Sequence, residues 1–250
     1  VKIYRITFSP TGMSRGTAEE ILKGFGDEPV WIDLCEEPTK TIEIEGDSIC
    51  IFSVPCYGGR IPRTAAERLL KIRGNQTPAI VCVTFGNRAF EDALLELADI
   101  VQMQGFSVFA GCGAATEHNI MGIFGAGRPD GADRKAMHHF SCGCIEKIQE
   151  GSMTRPDFPG ERPYKIWKGM SLPIRVDESL CRHCGVCAAK CPVHAISEEN
   201  TTDEHLCIHC MRCVKICPEK GRYIPEEILD SMQKRMAPVC EERKQNQFYL

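Results

Sequence analysis

The order of apolar and polar positions divides this chain into two regions of different texture. Over residues 1 to 150, short apolar runs alternate with longer stretches of helical spacing. Val1 to Phe8 reads as a strand, and Thr17 to Lys23 as a helix stopped by Gly24 and Gly26. Val30 to Leu34 and Ser48 to Val54 read as further strands, with Thr64 to Lys71 a helix. Ala79 to Thr84 (AIVCVT) is continuously apolar, as a central parallel strand buried on both faces should be. Ala89 to Met103 is a long amphipathic helix, Phe106 to Ala110 a fifth strand, and Asp133 to Glu150 another helix. Such βα alternation predicts an α/β fold with a doubly wound parallel sheet in a domain covering 1–150. Residues 151–172, with Pro156, Pro159 and Pro163, read as a linker that lets the flanking domains close or separate. Residues 173–224 read as a small cysteine-rich domain. In 225–250, a short helix from Pro225 to Met236 precedes a polar tail whose Phe248, Tyr249 and Leu250 can dock on the body.

The cysteine-rich domain carries the most specific signal. Cys181, Cys184, Cys187 and Cys191-Pro192 form one C-x₂-C-x₂-C-x₃-C-P run, and Cys207, Cys210, Cys213 and Cys217-Pro218 form a second. This double run resembles the ligand pattern of bacterial two-cluster ferredoxins, in which the fourth cysteine of each run serves the other cluster. The resemblance implies two [4Fe–4S] clusters, one on Cys181, Cys184, Cys187 and Cys217, the other on Cys191, Cys207, Cys210 and Cys213. Zinc also takes Cys₄ sites, but eight cysteines in two runs closed by Cys-Pro disfavour it. About 50 residues build little apolar core, so the clusters are expected to hold this domain folded. His183, His194, His205 and His209 lie among the ligands and read as surface or hydrogen-bonding residues, since the thiolates already complete both sites.

Composition narrows the partners. Lys plus Arg total 30 and Asp plus Glu 34, a formal charge of −4 at pH 7. Two oxidised cubanes with their thiolates bring this to roughly −8. That sign disfavours nucleic acid and favours a redox partner protein with a positive patch near the clusters. The chain contains 16 cysteines, a number that can signal a secreted disulfide framework. Eight have cluster spacing, Cys50, Cys82 and Cys112 lie in or beside apolar strands, and the opening residues read as a strand rather than a signal peptide. A cytoplasmic, reducing location is the expectation. No apolar run approaches 18 residues, so no membrane span is expected. Cys142-Gly143-Cys144 is not a C-x-x-C redox pair and reads as packed thiols.

In the first domain, three loops follow predicted strands and would share the carboxyl edge of the sheet, where doubly wound folds bind ligands. Ser9-Pro10-Thr11-Gly12-Met13-Ser14 offers hydroxyls, backbone N–H groups and a helix start suited to a phosphate, with Arg15 and Thr17 close behind. Neither G-x-G-x-x-G nor a P-loop occurs there. Pro55-Cys56-Tyr57-Gly58-Gly59-Arg60 provides an aromatic face beside glycines. Phe85-Gly86-Asn87-Arg88 provides backbone groups for the polar edge of a flat ring. Glu117 and His118 after the fifth strand read as a capping, packing pair.

With FSPTGMSRGTAE (8–19), VPCYGGRIP (54–62), TFGNRAFEDALLEL (84–97), AATEHNI (114–120) and the cysteine runs, nearly the whole chain resembles the EFR1-type ferredoxins. That family joins a flavodoxin-like domain to a two-cluster ferredoxin domain. The resemblance implies a five-stranded sheet in the order 2-1-3-4-5, a ferredoxin-like α+β domain, and FMN. It places the FMN phosphate on Ser9, Thr11, Gly12, Met13 and Ser14. It places the ring between Pro55, Cys56, Tyr57, Gly58 and Gly59 on one side and Phe85, Gly86, Asn87 and Arg88 on the other. Flavodoxins commonly carry T-x-T-G-x-T in the first loop; here Pro10 removes one backbone donor. The expected function is electron transfer between FMN and low-potential one-electron carriers through the clusters. The alternatives are a partner-binding ferredoxin without FMN and a reductase for an organic acceptor.

Overall fold

The structure is a computed structural model and describes residues 1–26, 28–166 and 169–250. Its main sheet has six strands: β1 (Ile3–Thr7), β2 (Val30–Asp33), β3 (Ile49–Pro55), β4 (Thr77–Phe85), β5 (Phe106–Ala115) and β6 (Gln247–Tyr249). They lie in the order β2-β1-β3-β4-β5-β6. The first five are parallel and stand in the expected 2-1-3-4-5 arrangement. The sixth corrects the expected five-stranded sheet: the tail runs antiparallel to β5, with Phe248 opposite Cys112.

Alternation along β4 shows how the sheet is buried. Ile80 and Cys82 face one layer together with Ile51, Ile21 and Phe140, whereas Val81 and Val83 face another with Phe52, Leu94 and Leu97. Helices α1 (Met13–Leu22) and α4 (Gly131–Glu150) cover the first face; α2 (Arg63–Leu69) and α3 (Ala93–Met103) cover the second. Helix α1 begins four residues earlier than its apolar spacing suggests, because Gly12 adopts φ 91° and turns the chain straight into Met13. Asp130 caps α4 with a reciprocal capping box to Asp133.

Residues 151–166 are not a free tether. Phe158 is buried in the sheet core and meets Tyr249 edge-on. Asp99 on α3 accepts hydrogen bonds from Arg155, Arg162 and Tyr164, and Asp92 accepts from the backbone N–H groups of Glu161 and Lys165. These charge-based contacts fasten the segment to α3. Trp167 and Lys168, the remainder of the expected linker's centre, lie outside the described residues.

The cysteine-rich unit is an internal duplication offset by 26 residues. Val176 pairs with Arg222, and the shifted pair Thr202 with Ile196 forms the matching bridge. His183, Gly185 and His194 have positive φ, and so do their counterparts His209, Met211 and Lys220. Each run ends in a short helix, α5 (Val186–Ala189) or α6 (Arg212–Ile216). Helix α7 (Glu226–Cys240) runs four residues beyond Met236, despite Pro238, because Met236, Ala237 and Cys240 pack with Met121 and Phe124 of the loop after β5.

Candidate redox sites

At the carboxyl edge of the sheet, beyond the ends of the paired β1 and β3, a cleft of about 340 Å³ opens to solvent. Its walls include Ser9, Pro10, Thr11, Met13 and Ser14 from the first loop and Pro55, Cys56 and Tyr57 from the second. Gly86 comes from the third loop. Thr84, Thr116, Glu117 and Asn119 complete it. Thr84, Thr116 and Asn119 were not singled out in the sequence; their signal was position alone, at or just past the carboxyl ends of β4 and β5.

Local chemistry explains the first loop. The Ser9 hydroxyl accepts from Arg15 N at 2.9 Å, and Gly12 N donates to Ser9 O at 3.2 Å. The turn thereby brings Pro10 and Thr11 into the cleft wall and starts α1 beside it, with no acidic residue in the helix's first turn. Ser14 is turned inward, sharing a 2.8 Å hydrogen bond with Thr84. Arg15 packs over Trp31 and is not part of the cleft wall.

Other expected residues stand elsewhere. Gly58 (φ 62°) and Gly59 (φ 92°) form the tip of a tight Tyr57–Arg60 turn that aims Tyr57 at the cleft. Phe85 is buried against Phe90. Arg88 bonds Glu91. Asn87 is 2% exposed and points away, toward the C-terminal segment. Its amide donates to Cys240 O and Glu242 O and accepts from Lys244 N and Arg128 Nη1. Gly86 is small because His118 lies against it: a Cβ there would sit 2.6 Å from the imidazole. His118 Nδ1 accepts from the N–H groups of Ile120 and Met121, and burial pushes its pKa down to about 4. Burial likewise raises the Tyr57 hydroxyl well above its ordinary range, with nearby thiols of Cys210, Cys35 and Cys56 adding to the effect.

The eight run cysteines surround two further cavities. Cys181, Cys184, Cys187 and Cys217 line one of about 340 Å³, the outer cavity. Cys191, Cys207, Cys210 and Cys213 line one of about 330 Å³, the inner cavity. Each thus takes three thiols from one run and the fourth from the other. The thiols stand around the walls and do not converge on a point: among the described residues no three His, Cys, Asp or Glu side chains cluster at single-ion spacing. A cubane, with iron at alternate corners, suits such walls. Donors already address the sulfurs. Ala195 N donates to Cys191 Sγ at 3.3 Å, and the N–H groups of His209 and Arg212 address Cys207 and Cys210. The Nε atoms of Arg212 and Arg222, at the inner and outer cavities, are buried without a partner, so the sites present donors a sulfur-rich group would satisfy. Burial raises the Cys213 thiol to about 11, so cluster assembly must displace protons as iron enters.

The inner cavity adjoins the flavodoxin-like sheet. Arg68 on α2 donates to Leu34 O, Cys35 O and, at 2.5 Å, Pro192 O. Ser9 N in turn donates to Cys35 Sγ at 3.3 Å. A bonded path thus runs from the cleft loop through Cys35 and Arg68 to Pro192, the neighbour of Cys191.

Comparison with known proteins bears on the cysteine-rich unit. A family described as "4Fe-4S binding domain" matches residues 174–197, and a second family of the same description matches 201–223. No curated protein matches the chain. Among solved structures, the Streptococcus pneumonia TIGR4 flavodoxin is 15% identical, covering 59% of this chain and 99% of its own, at TM-score 0.42. Flavodoxin 2 from Bacillus cereus is 16% identical, covering 59% and 99%, at 0.43. The rubredoxin oxygen:oxidoreductase of the anaerobe Desulfovibrio gigas is 14% identical, covering 60% of this chain and 36% of its own, at 0.41. At such TM-scores these likenesses add nothing to what the strand order states.

The chain therefore joins a sheet wound in the flavodoxin order to a pair of 4Fe–4S binding domains that hold two clusters. No helix among the described residues is long and apolar enough to cross a membrane.

Proposed function

We propose that this chain is an iron–sulfur flavoprotein that carries electrons between FMN and low-potential one-electron partners. The reading rests on one observation above all: the inner four-cysteine cavity is fastened by Arg68 to the loop that walls the switch-point cleft. Cys181, Cys184, Cys187 and Cys217 hold the outer cluster; Cys191, Cys207, Cys210 and Cys213 hold the inner one. In this reading FMN sits at the carboxyl ends of β1 and β3, the switch point where doubly wound sheets bind ligands. There the turn at Thr11–Gly12 and the start of α1 receive the phosphate, and Tyr57 walls the ring. When bound, FMN exchanges one or two electrons and each cubane exchanges one.

The remaining residues bind, orient and exclude water. Gly86 leaves room for His118 to pack against the third loop, while Asn87 anchors that loop from behind. His118 is depressed in pKa and stays neutral near pH 7, so it adds no charge beside the ring. Domain boundaries of 1–150, 151–172, 173–224 and 225–250 describe the functional division, although β6 returns to the first domain. A cytoplasmic setting, where thiols stay reduced, and a redox partner protein complete the reading.

The test is the cofactor content of anaerobically purified protein. FMN released by acid, together with cluster absorption, is the expected result. Cluster absorption with no flavin would replace this reading with that of a partner-binding ferredoxin.

A further inference from the structure

Three guanidinium groups border the inner cavity or the wall between the cavities, and none has a carboxylate at ion-pair distance among the described residues. Arg68 is 6% exposed and spends its N–H groups on backbone carbonyls, Pro192 O among them. Arg222 is 3% exposed, donates to Thr202 Oγ1 and Asn200 O, and keeps Nε unpartnered. It lines the outer cavity yet also acts on the thiols of Cys207 and Cys213 in the inner one. Arg212 is half-buried, lines the inner cavity, has an unpartnered buried Nε, and acts on Cys35 beside the cleft loop.

Buried cations ordinarily require an anion. Here the anion is the site itself, since a thiolate-ligated cubane is negative and becomes more so when reduced. The distribution is unequal. Arg68 and Arg212 belong to the inner side alone, and Ala195 N donates to the inner-cavity sulfur of Cys191 at 3.3 Å. The outer cavity has Asn200 Nδ2 at 3.7 Å from Cys181 Sγ, its Cys184 is exposed, and the Arg182 on its wall is neutralised by Glu219 at 3.2 Å. Burial of the inner cluster opposes reduction, but fixed cations and N–H dipoles take the place of the lost water without having to reorient.

Resting on the two-cluster reading, we propose that Arg68, Arg212 and Arg222 are the resident counter-charges of the electron route and place the inner cluster above the outer one in reduction potential. An electron accepted from an external one-electron donor at the exposed outer cluster then passes inward, oxidising the outer cluster as it reduces the inner. It comes to rest beside the flavin cleft. The three arginines are positioning residues for charge and touch no external substrate.

Potentiometric titration of the anaerobic holoprotein, followed by electron paramagnetic resonance, reads this directly. Two unequal cluster potentials are expected. Arg212→Met should lower the higher one and leave the lower in place, with iron content unchanged; Arg212→Lys should restore most of the shift. Where Arg212→Met loads less iron, Arg68→Met must show the same selectivity. Equal potentials in the unaltered protein, or an upper potential unmoved in a fully loaded variant, would overturn the assignment. Failure of the underlying two-cluster reading looks different: iron and sulfide would be missing and no cluster wave would appear.

Discussion

Asn87 uses its whole hydrogen-bonding capacity, two donors and two acceptors, to tie the third loop to Cys240 at the end of α7, to Glu242 and Lys244 beyond it, and to Arg128 before α4. Sequence alone gave it a ring-facing role because it follows a strand end in an apt loop. Its φ is 57°, and its partners lie 41 to 157 residues away, so no local pattern could reveal them. Asn87→Ala should cost about 3 kcal/mol, because buried carbonyls and an N–H lose their partners. Denaturant midpoints check this, and an unchanged midpoint would contradict it. His118 gives a pH prediction. Its folded pKa, about 4, lies below the ordinary 6.5, so the unfolded chain takes up the proton first as pH falls. The contribution of neutral His118 to stability is therefore complete above about pH 6.5 and is lost as pH falls toward 4. NMR titration should show its imidazole unprotonated at pH 5.5; a midpoint near 6.5 would contradict its burial.

Elements were legible where burial is regular. Strands β3 and β4 show as apolar runs because both faces are covered, and each boundary moved by only one or two residues from expectation. The cysteine spacing was legible for a different reason: metal geometry restricts it more tightly than packing restricts an apolar run. Strand β6 was hidden because it is three residues long and flanked by polar chain. It forms because Phe248 stacks on Phe140 and its backbone covers the free edge of β5. Phe248→Ala should cost about 2 kcal/mol and raise amide exchange along β5 and β6, without altering the cleft residues. The 151–166 strap was hidden because Asp99, Arg155 and Arg162 look like ordinary surface charges until the fold brings them together.

At the scale of the molecule, stability is divided unequally. The sheet has two extensive apolar layers, whereas the cysteine-rich unit buries little beyond Cys187, Ile196 and Cys213 and their neighbours. Stripping iron should therefore melt 173–224 while the sheet persists. Circular dichroism after anaerobic chelation would show loss of cluster bands with most ellipticity retained; full unfolding, or none, would contradict that division.

The central claim, that one chain connects two cubanes and a flavin, is tested most directly by counting electrons. Anaerobic reductive titration of the holoprotein should consume about four equivalents per chain, one for each cluster and two for the flavin. An end point at about two would leave the cleft without a redox role, and uptake of none would contradict the account.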